Sequence, residues 1–328
     1  MATYDLDRVE LHQLLSPNID SAAQKVVVDY LLHNGTFDHD DDDHDHDDRG
    51  HDHGHSLAPG HDVFHGHHEH HHDHGHHFGE PTTEVQISDG TDPLDQDAQL
   101  LNLTSASNIV TTGGDLKAIV ENVPGDSDLT VHGSNDVLIV TGGGNDHVTL
   151  QDTGDDVVLT GKGDDIIQLG AGEDSAYGGA GNDSIMAGTG GHQLLAGGDG
   201  SDTLIGGDGG HSTLSGGDGN DSLVAGTGGH TLLEGGAGND TMYAGTGGDT
   251  MDGGTGNDLF HIAADPHGHD TVDGGSGNDS VQFDNYASNQ VHSMDTSHGE
   301  TVITFKDGLQ VTVTHVENLV FTDKTEHL

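Results

Sequence analysis

The octapeptide Gly216-Gly217-Asp218-Gly219-Asn220-Asp221-Ser222-Leu223 is one copy of a pattern that recurs along the middle of the chain. Each copy carries paired glycines, an aspartate five residues after the first glycine, and an apolar residue two positions later. Glycine tolerates the positive φ of a tight turn, and the apolar residue marks a short strand. A repeat of one turn and one short strand predicts a solenoid of stacked coils. Other clear copies begin at Gly178, Gly235, Gly253 and Gly274.

The repeat matches the pattern G-G-x-G-x-D-x-U-x, where U is a large apolar residue. On these residues the chain resembles the RTX (repeats-in-toxin) family of bacterial proteins exported by type I secretion. The resemblance covers about half the chain. It implies that two nonapeptides form one coil of a parallel β-roll and that Ca²⁺ lies between the turns of successive coils. The stretch His315-Val316-Glu317-Asn318-Leu319-Val320-Phe321-Thr322-Asp323 also resembles the end of type I secreted proteins.

Elementary chemistry agrees with this resemblance. Ca²⁺ takes six to eight oxygen ligands from carboxylates and carbonyls together, and the repeat supplies both. The U residues point inward and form a thin core. A flexible glycine-rich linker is the alternative, but regular Asp and U positions make it a poor fit. One column of U residues comprises Val148, Ile167, Ile185, Leu204, Leu223, Met242, Phe260 and Val281.

The spacing of the aspartate position sorts the turns into two sides, because alternate turns should lie on the same side of the roll. We expect these aspartates to hold Ca²⁺. The first side reads Asp146, Asp165, Asp183, Asp202, Asp221, Asp240, Asp258 and Asp279. The second side reads Asp136, Asp156, Asp174, His192, His211, His230, Asp249 and Asp270, and of these Asp249 and Asp270 are the firmest calcium candidates.

Three histidines interrupt the second side, at His192, His211 and His230. Steps of nine and ten residues alternate here, so the coils have 19 residues rather than 18, and the extra residue is expected in the stretch after each His turn. Imidazole suits Zn²⁺, Cu²⁺ or Ni²⁺ better than Ca²⁺. Two interpretations stay open: the histidines bind a transition metal across adjacent coils, or these turns have lost calcium and the rings hydrogen-bond to neighbouring carbonyls.

A second candidate metal-binding segment lies near the N-terminus, in residues 38–79. Positions 38–77 hold 16 His, 11 Asp and one Glu. Short His-rich tracts with nearby carboxylates favour Zn²⁺ or another transition metal. A purely solubilising acidic tail is the alternative, although solubility requires no histidine. The histidines are His39, His44, His46, His51, His53, His55, His61, His65, His67, His68, His70, His71, His72, His74, His76 and His77.

Composition limits the partners. Lys and Arg number 7 against 58 Asp and Glu, so the formal net charge is −51. Nucleic acids and anionic membrane surfaces require basic patches, and cations are the expected partners instead. The absence of cysteine excludes disulfides and thiolate metal sites. No apolar run reaches the length of a membrane span, and residues 1–7 show no secretory signal peptide.

Five regions follow from these patterns. Residues 1–37 are expected to form a short helical N-terminal region, and residues 38–79 a disordered metal-binding segment. Residues 80–125 form a β-like lead-in, residues 126–283 the calcium-binding β-roll, and residues 284–328 a C-terminal β cap with the type I secretion signal. The fold class is therefore all-β, a parallel β-roll. Within the cap, residues 301–305 and 309–313 flank a glycine-containing turn and predict a hairpin.

The leading functional hypothesis is a secreted, calcium-folded protein that binds a transition metal, most simply zinc, through its His-rich segment. Its role would be extracellular metal capture, buffering or delivery, with a cell-surface metal receptor as a conceivable partner. The alternative is an extracellular structural, surface-layer or adhesion protein. An enzyme is not expected, because no nucleophile and base are paired. The H-E-x-x-H match at 68–72 lacks a helical pattern and is expected by chance in so His-rich a tract.

Overall fold

The computed structural model describes residues 55–57, 61–65, 83–86, 98–103, 106–112, 116–121, 123, 125–266 and 268–328. The predicted helical region 1–37 lies outside the described residues. The fold is an all-β parallel solenoid, which confirms the predicted fold class. Helix among the described residues is limited to the 3₁₀ turn Ser288–Gln290. The chain divides into two compact units, residues 1–161 and 162–328.

The first unit contains strands β1 to β10, the last of which ends one residue beyond its boundary. They are β1 (His55–Leu57), β2 (His61–His65), β3 (Thr83–Gln86), β4 (Ala98–Leu103), β5 (Ser107–Thr111), β6 (Ala118–Glu121), β7 (Asp128–His132), β8 (Leu138–Val140), β9 (His147–Gln151) and β10 (Val157–Lys162).

Parallel coils begin in this unit well before the glycine-rich repeat. Strands β4, β6, β8 and β10 pair in parallel as one sheet, and β3, β5, β7 and β9 form the other. The described strands of region 80–125 therefore belong to solenoid coils. Strand β6 buries Ala118, Ile119 and Val120 without the glycine pattern.

Two short strands fall inside the His-rich segment. Strand β1 pairs antiparallel with β2, and β2 pairs antiparallel with β4. These strands contain Leu57, Val63 and Phe64, three of the few apolar residues in a segment dominated by His and Asp. The remainder of the segment lies outside the described residues, and its disorder stays a prediction.

The second unit contains eighteen described strands, β11 to β28. They are β11 (Ile166–Gln168), β12 (Ser175–Ala180), β13 (Ser184–Met186), β14 (Leu194–Asp199), β15 (Thr203–Ile205), β16 (Thr213–Asp218), β17 (Ser222–Val224), β18 (Leu232–Ala237), β19 (Thr241–Tyr243), β20 (Thr250–Thr255), β21 (Leu259–Ile262), β22 (His269–Asp273), β23 (Ser280–Phe283), β24 (Val291–Ser297), β25 (Glu300–Phe305), β26 (Gln310–Thr314), β27 (Asn318–Val320) and β28 (Thr325–His327).

Each coil of this unit combines one short and one longer strand on opposite walls. Short strands from β11 to β23 pair in parallel along one wall, and longer strands from β12 to β22 pair along the other. The register advances by one repeat per coil, so that Leu204 lies beside Leu223 and Leu195 beside Leu214. The two walls face each other across a thin core to which both contribute side chains.

The predicted U residues form one half of this core. All eight predicted positions, from Val148 to Val281, are fully buried. The longer strands supply the opposing half through residues such as Leu195, Leu214 and Leu233, which are also fully buried. Because each coil contributes only two or three large apolar side chains, hydrophobic burial alone leaves little surplus over chain entropy.

The C-terminal cap ends the solenoid with antiparallel strands. The predicted hairpin is confirmed: β25 pairs with β26, with Thr304 opposite Gln310. Strand β26 continues the parallel wall beside β22, and β24 pairs antiparallel with β25. On the other wall β27 follows β23 in parallel and β28 turns back antiparallel. Phe283, Phe305 and Phe321 pack together beneath these strands, with ring centroids 5.0 to 6.4 Å apart.

Candidate calcium-binding turns

The predicted first-side aspartates of the second unit form a continuous hydrogen-bonded ladder. The Oδ1 atom of each aspartate accepts a hydrogen bond from the backbone N–H of the aspartate one coil earlier. These bonds run from Asp165 N to Asp183, and onward through Asp202, Asp221, Asp240, Asp258 and Asp279, at 2.7 to 2.8 Å. The predicted placement of these residues on one side of the solenoid is therefore confirmed.

The second carboxylate oxygen is buried without a protein partner in six of these residues. No hydrogen-bond donor reaches Oδ2 of Asp183, Asp202, Asp221, Asp240, Asp258 or Asp279. Leaving a buried polar atom unsatisfied costs about 1–3 kcal/mol, and more for a charged group. A column of such oxygens requires either protons or cations.

Glycines keep the space around each carboxylate open. A Cβ atom on Gly216 would lie 2.3 Å from Oδ2 of Asp221, because the carboxylate folds back over the first glycine of its own repeat. The same approach measures 2.1 to 2.4 Å at Gly178, Gly197, Gly235 and Gly253. The first glycine of the repeat is thus required by the position of the carboxylate, although its φ is not positive.

Backbone carbonyls line the same turns. Gly219 has a φ of 146°, and a Cβ atom there would lie 1.6 Å from the carbonyl oxygen of Gly200, one coil earlier. The turns therefore present carboxylate and carbonyl oxygens side by side, which is the donor set that Ca²⁺ prefers. Within the described part of the chain, no three His, Asp or Glu side chains converge on one metal position. Backbone oxygens would therefore complete the coordination shell.

Burial raises the pKa of Asp183 to about 7, and the pKa of Asp202, Asp221 and Asp240 to about 6. Backbone N–H donors oppose the rise, and carboxylates in adjacent coils add to it. The protein environment thus disfavours the ionised carboxylates. A divalent cation between the coils would reverse that balance.

The register predicted for the second side is wrong at the histidines. The backbone N–H of Gln193 donates to Oγ of Ser212, and the N–H of Thr231 donates to Oδ1 of Asp249. The N–H of Asp249 in turn donates to Oδ1 of Asp270. The ladder position in these coils therefore belongs to the residue after each histidine. Asp136 also lies one residue before the ladder position, because the backbone N–H of Val137 donates to Oδ1 of Asp156.

The extra residue of the longer coils is the histidine itself. The connection between β13 and β14 spans residues 187–193, whereas the connection between β19 and β20 spans 244–249 and is one residue shorter. His192, His211 and His230 all have φ of 57 to 58°, a left-handed conformation in which His is enriched among non-glycine residues. The prediction that the extra residue lies after each His turn is therefore wrong. Three successive coils offer Gln, Ser or Thr where a carboxylate would lie.

The histidine rings project from the surface and stack on one another. Ring centroids of His192 and His211 lie 5.1 Å apart with an interplanar angle of 9°, and those of His211 and His230 lie 5.1 Å apart at 19°. The nitrogen lone pairs of parallel stacked rings point in similar directions rather than toward a common point. Transition-metal binding by this column stays a prediction. Of the sixteen histidines in the N-terminal segment, the structure describes only the backbone of His55, His61 and His65.

Two acidic residues outside the repeat pattern lie at or beside the turns of the first side. Oε2 of Glu317 accepts a hydrogen bond of 2.7 Å from the backbone N–H of Asp279, so a glutamate ends the ladder in the second unit. In the first unit Ser127 N donates to Oδ1 of Asp146, and Glu121 lies buried beside this pair. Neither glutamate belongs to a G-G-x-G-x-D match, which is why the sequence pattern does not reveal them.

These turns define a parallel β-solenoid with cation-binding chemistry between its coils. Four segments of the chain match the RTX calcium-binding nonapeptide repeat: residues 151–185, 187–223, 226–260 and 267–282. The chain therefore carries RTX calcium-binding repeats. No curated protein matches the chain. RTX repeats are typical of secreted proteins. The described residues contain no helix long and apolar enough to cross a membrane.

Gly216→Ala should weaken calcium binding because the added methyl group collides with the Asp221 carboxylate. We expect the Ca²⁺ midpoint of folding to rise and the calcium-bound protein to lose roughly 2 kcal/mol of stability, as for an overpacked site. Ser215→Ala on the same strand is the matched control and should leave both quantities nearly unchanged. A calcium titration followed by circular dichroism measures the midpoint. Identical midpoints for the two variants would contradict the observed carboxylate position.

Proposed function

We propose that the protein is secreted, folds on binding Ca²⁺ outside the cell, and captures a transition metal, preferentially Zn²⁺, through residues 38–79. The calcium part of this function rests on one observation. Six buried aspartates of the ladder each have a carboxylate oxygen without a protein partner. The role of the folded protein would be metal capture, buffering or delivery in the extracellular space.

Ladder geometry supports calcium as the agent that completes folding. Each aspartate already uses Oδ1 to fix the coil before it, and Oδ2 remains for a cation. The cation would neutralise adjacent coils that carry like charges. Binding to the folded state alone adds stability in proportion to RT ln(1 + [L]/Kd). A chain short of apolar residues then folds where Ca²⁺ is abundant and stays unfolded where it is scarce, as export through a narrow channel requires.

The distribution of histidines supports the transition-metal part. In the described part of the chain, several histidines hydrogen-bond singly to neighbours: Nδ1 of His261 lies 3.0 Å from Asp284, and Nδ1 of His315 lies 2.7 Å from Asp273. The segment 38–79, in contrast, concentrates 16 of the 30 histidines within a short stretch. Imidazoles at that density, with interspersed carboxylates, suit Zn²⁺.

Replacing all sixteen histidines of residues 38–77 by Asn should abolish most Zn²⁺ binding and leave calcium-dependent folding intact. Zinc binds the neutral imidazole, so protons compete with it. The wild-type protein should take up several Zn²⁺ ions at about pH 7.5 and release them near pH 5.5, below the usual pKa of His. Isothermal titration with Zn²⁺ at both pH values, in constant millimolar Ca²⁺, gives the stoichiometries.

The control for this experiment is a His192→Asn, His211→Asn, His230→Asn triple variant, which should keep the zinc stoichiometry of the wild type. Equal stoichiometry in the wild type and in the segment variant would contradict the proposed capture role. Self-assembly in Ca²⁺ alone, without zinc uptake, would favour the extracellular structural alternative.

A further inference from the structure

The first unit buries a glutamate that the repeat pattern does not account for. Glu121, the last residue of β6, is fully buried. Its Oε1 atom accepts a hydrogen bond of 2.7 Å from Nδ2 of Asn108, whereas no hydrogen-bond donor reaches Oε2. A buried carboxylate oxygen without a partner is costly, so this group needs a proton or a cation.

Glu121 occupies the place that the nonapeptide gives to its first glycine. Strand β6 pairs with β8 so that Val120 lies beside Val140, which places Glu121 next to Thr141 in the stacked coil. Thr141 precedes Asp146 by five residues, as Gly216 precedes Asp221. In the second unit this position lies directly against the aspartate Oδ2 atom. A side chain at this position therefore enters the space beside the carboxylate.

The usual aspartate of this turn is replaced by Ser127. Its backbone N–H donates to Oδ1 of Asp146 at 2.9 Å, so Ser127 stands in the ladder where the later coils carry Asp. Its buried hydroxyl lies beside both carboxyl groups and lowers the pKa of Glu121 and of Asp146. The turn has thus lost a carboxylate at position 127 and gained one at position 121.

The charged side chains that act most strongly on Glu121 are negative. Burial raises the pKa of Glu121 to about 7, the side chains of Ser127 and Asn108 oppose the rise, and the carboxylates of Asp146 and Asp128 reinforce it. Glu121 and Asp146 thus bring two carboxylates to one turn, where a divalent ion would offset their repulsion.

We propose that Glu121, Asp146 and the Ser127 hydroxyl bind an additional Ca²⁺ ion in the first unit, outside the four matched repeats. The glutamate supplies from the glycine position the carboxylate that Ser127 lacks, and backbone carbonyls complete the oxygen shell. This inference rests on the proposed calcium-dependent folding, and it extends calcium binding to coils that the nonapeptide pattern does not recognise.

The test compares the calcium content of Glu121→Gln, Asp221→Asn, Asp128→Asn and the wild type by equilibrium dialysis and metal analysis in full-length protein. We expect Glu121→Gln to bind one Ca²⁺ fewer than the wild type and to show a higher calcium midpoint for the first-unit coils by hydrogen exchange. Asp128 has an exposed side chain, and its variant should keep the full count. Asp221→Asn should lose calcium in the second unit.

Gln reproduces the shape of a protonated glutamate, which makes the opposite result informative. A Glu121→Gln variant that keeps the wild-type calcium count would show that the Glu121 carboxylate does not bind the ion and would overturn the inference. If Asp221→Asn still loses calcium in that case, the proposed function stands. A wild-type protein that binds no calcium would overturn both.

Ser127→Ala provides a second route if Glu121→Gln does not fold. This smaller change removes only the hydroxyl and keeps the backbone N–H that bonds to Asp146. We expect a several-fold higher dissociation constant for one site in a calcium titration. A titration curve that coincides with that of the wild type would overturn the inference.

Discussion

Removal of Ca²⁺ by excess chelator should unfold the coils of the second unit. Six aspartates of the ladder would face each other across adjacent coils with no cation between them, and burial already disfavours their charge. Each site occupied at a hundred times its dissociation constant contributes about 2.7 kcal/mol. Loss of only three such sites exceeds the ~5 kcal/mol at the lower end of domain stability.

Circular dichroism measures this transition directly. We expect a mostly disordered spectrum in chelator and a β-rich spectrum in millimolar Ca²⁺. Mg²⁺ at the same concentration is the matched control and should not restore the β signal, because Mg²⁺ demands octahedral geometry and gives up its water reluctantly. A full β signal in excess chelator would contradict calcium-dependent folding.

The free energy of unfolding should depend on pH with opposite signs in the absence and in the presence of Ca²⁺. In calcium-free buffer the folded coils hold the pKa of Asp183 at about 7 and that of Asp202 and Asp221 at about 6, against about 3.9 in the unfolded chain. The folded state then binds more protons between these values, so the free energy of unfolding falls as the pH rises.

With saturating Ca²⁺ the ionised carboxylates hold the cation instead, and protons compete with it. Stability contributed by calcium should therefore be present at about pH 7.5 and be lost as the pH falls through about 6. Circular dichroism at about pH 5 and pH 7.5 should rank the β signal in opposite orders, higher at pH 5 in chelator and higher at pH 7.5 in Ca²⁺. Asp221→Asn should reduce both differences, whereas Asp252→Asn, at an exposed position, should not. The same order of β signal in both buffers would contradict the ladder mechanism.

The first-side ladder could be predicted from the sequence because the solenoid repeats along one dimension. The interval from Asp183 to Asp202 and from Asp202 to Asp221 is one coil, and every such interval adds the same displacement. The apolar residues that follow, such as Leu204 and Leu223, are buried for the same reason. Regular spacing alone therefore predicts the positions of the aspartate column and of the buried apolar column.

The second side was harder to predict because an insertion and a substitution coincide there. Counting five residues from the first glycine of the repeat places His211 at the aspartate position. In the structure His211 is an inserted residue with a left-handed conformation, at φ of 57°. Ser212 then takes the ladder position, and a serine carries no signal of a lost carboxylate. Spacing alone cannot distinguish a residue that replaces a ligand from a residue inserted before it.

The coils formed by strands β4 and β6 could not be predicted from the nonapeptide pattern, for another reason. Strand β4 buries Leu101 and Leu103 and strand β6 buries Ile119 and Val120, but residues 98–121 do not carry the nonapeptide pattern. Glu121 is detectable only when the parallel register of β6 and β8 shows which turn position it occupies. A carboxylate supplied from an unexpected position can be recognised in three dimensions and not from the sequence.

The antiparallel strands at the C-terminus of the second unit also govern what can be added to it. A stack of identical parallel strands is an open template, to which another molecule with the same repeat could add its own strands. Here Glu317 occupies the last ladder N–H, while β25 and β28 reverse direction on the two walls. The outermost strand, β24, is exposed along nearly its whole length and has an irregular register near Val291. Such an edge gives an incoming parallel coil no matching partner, so this end of the second unit resists end-to-end polymerisation into fibres.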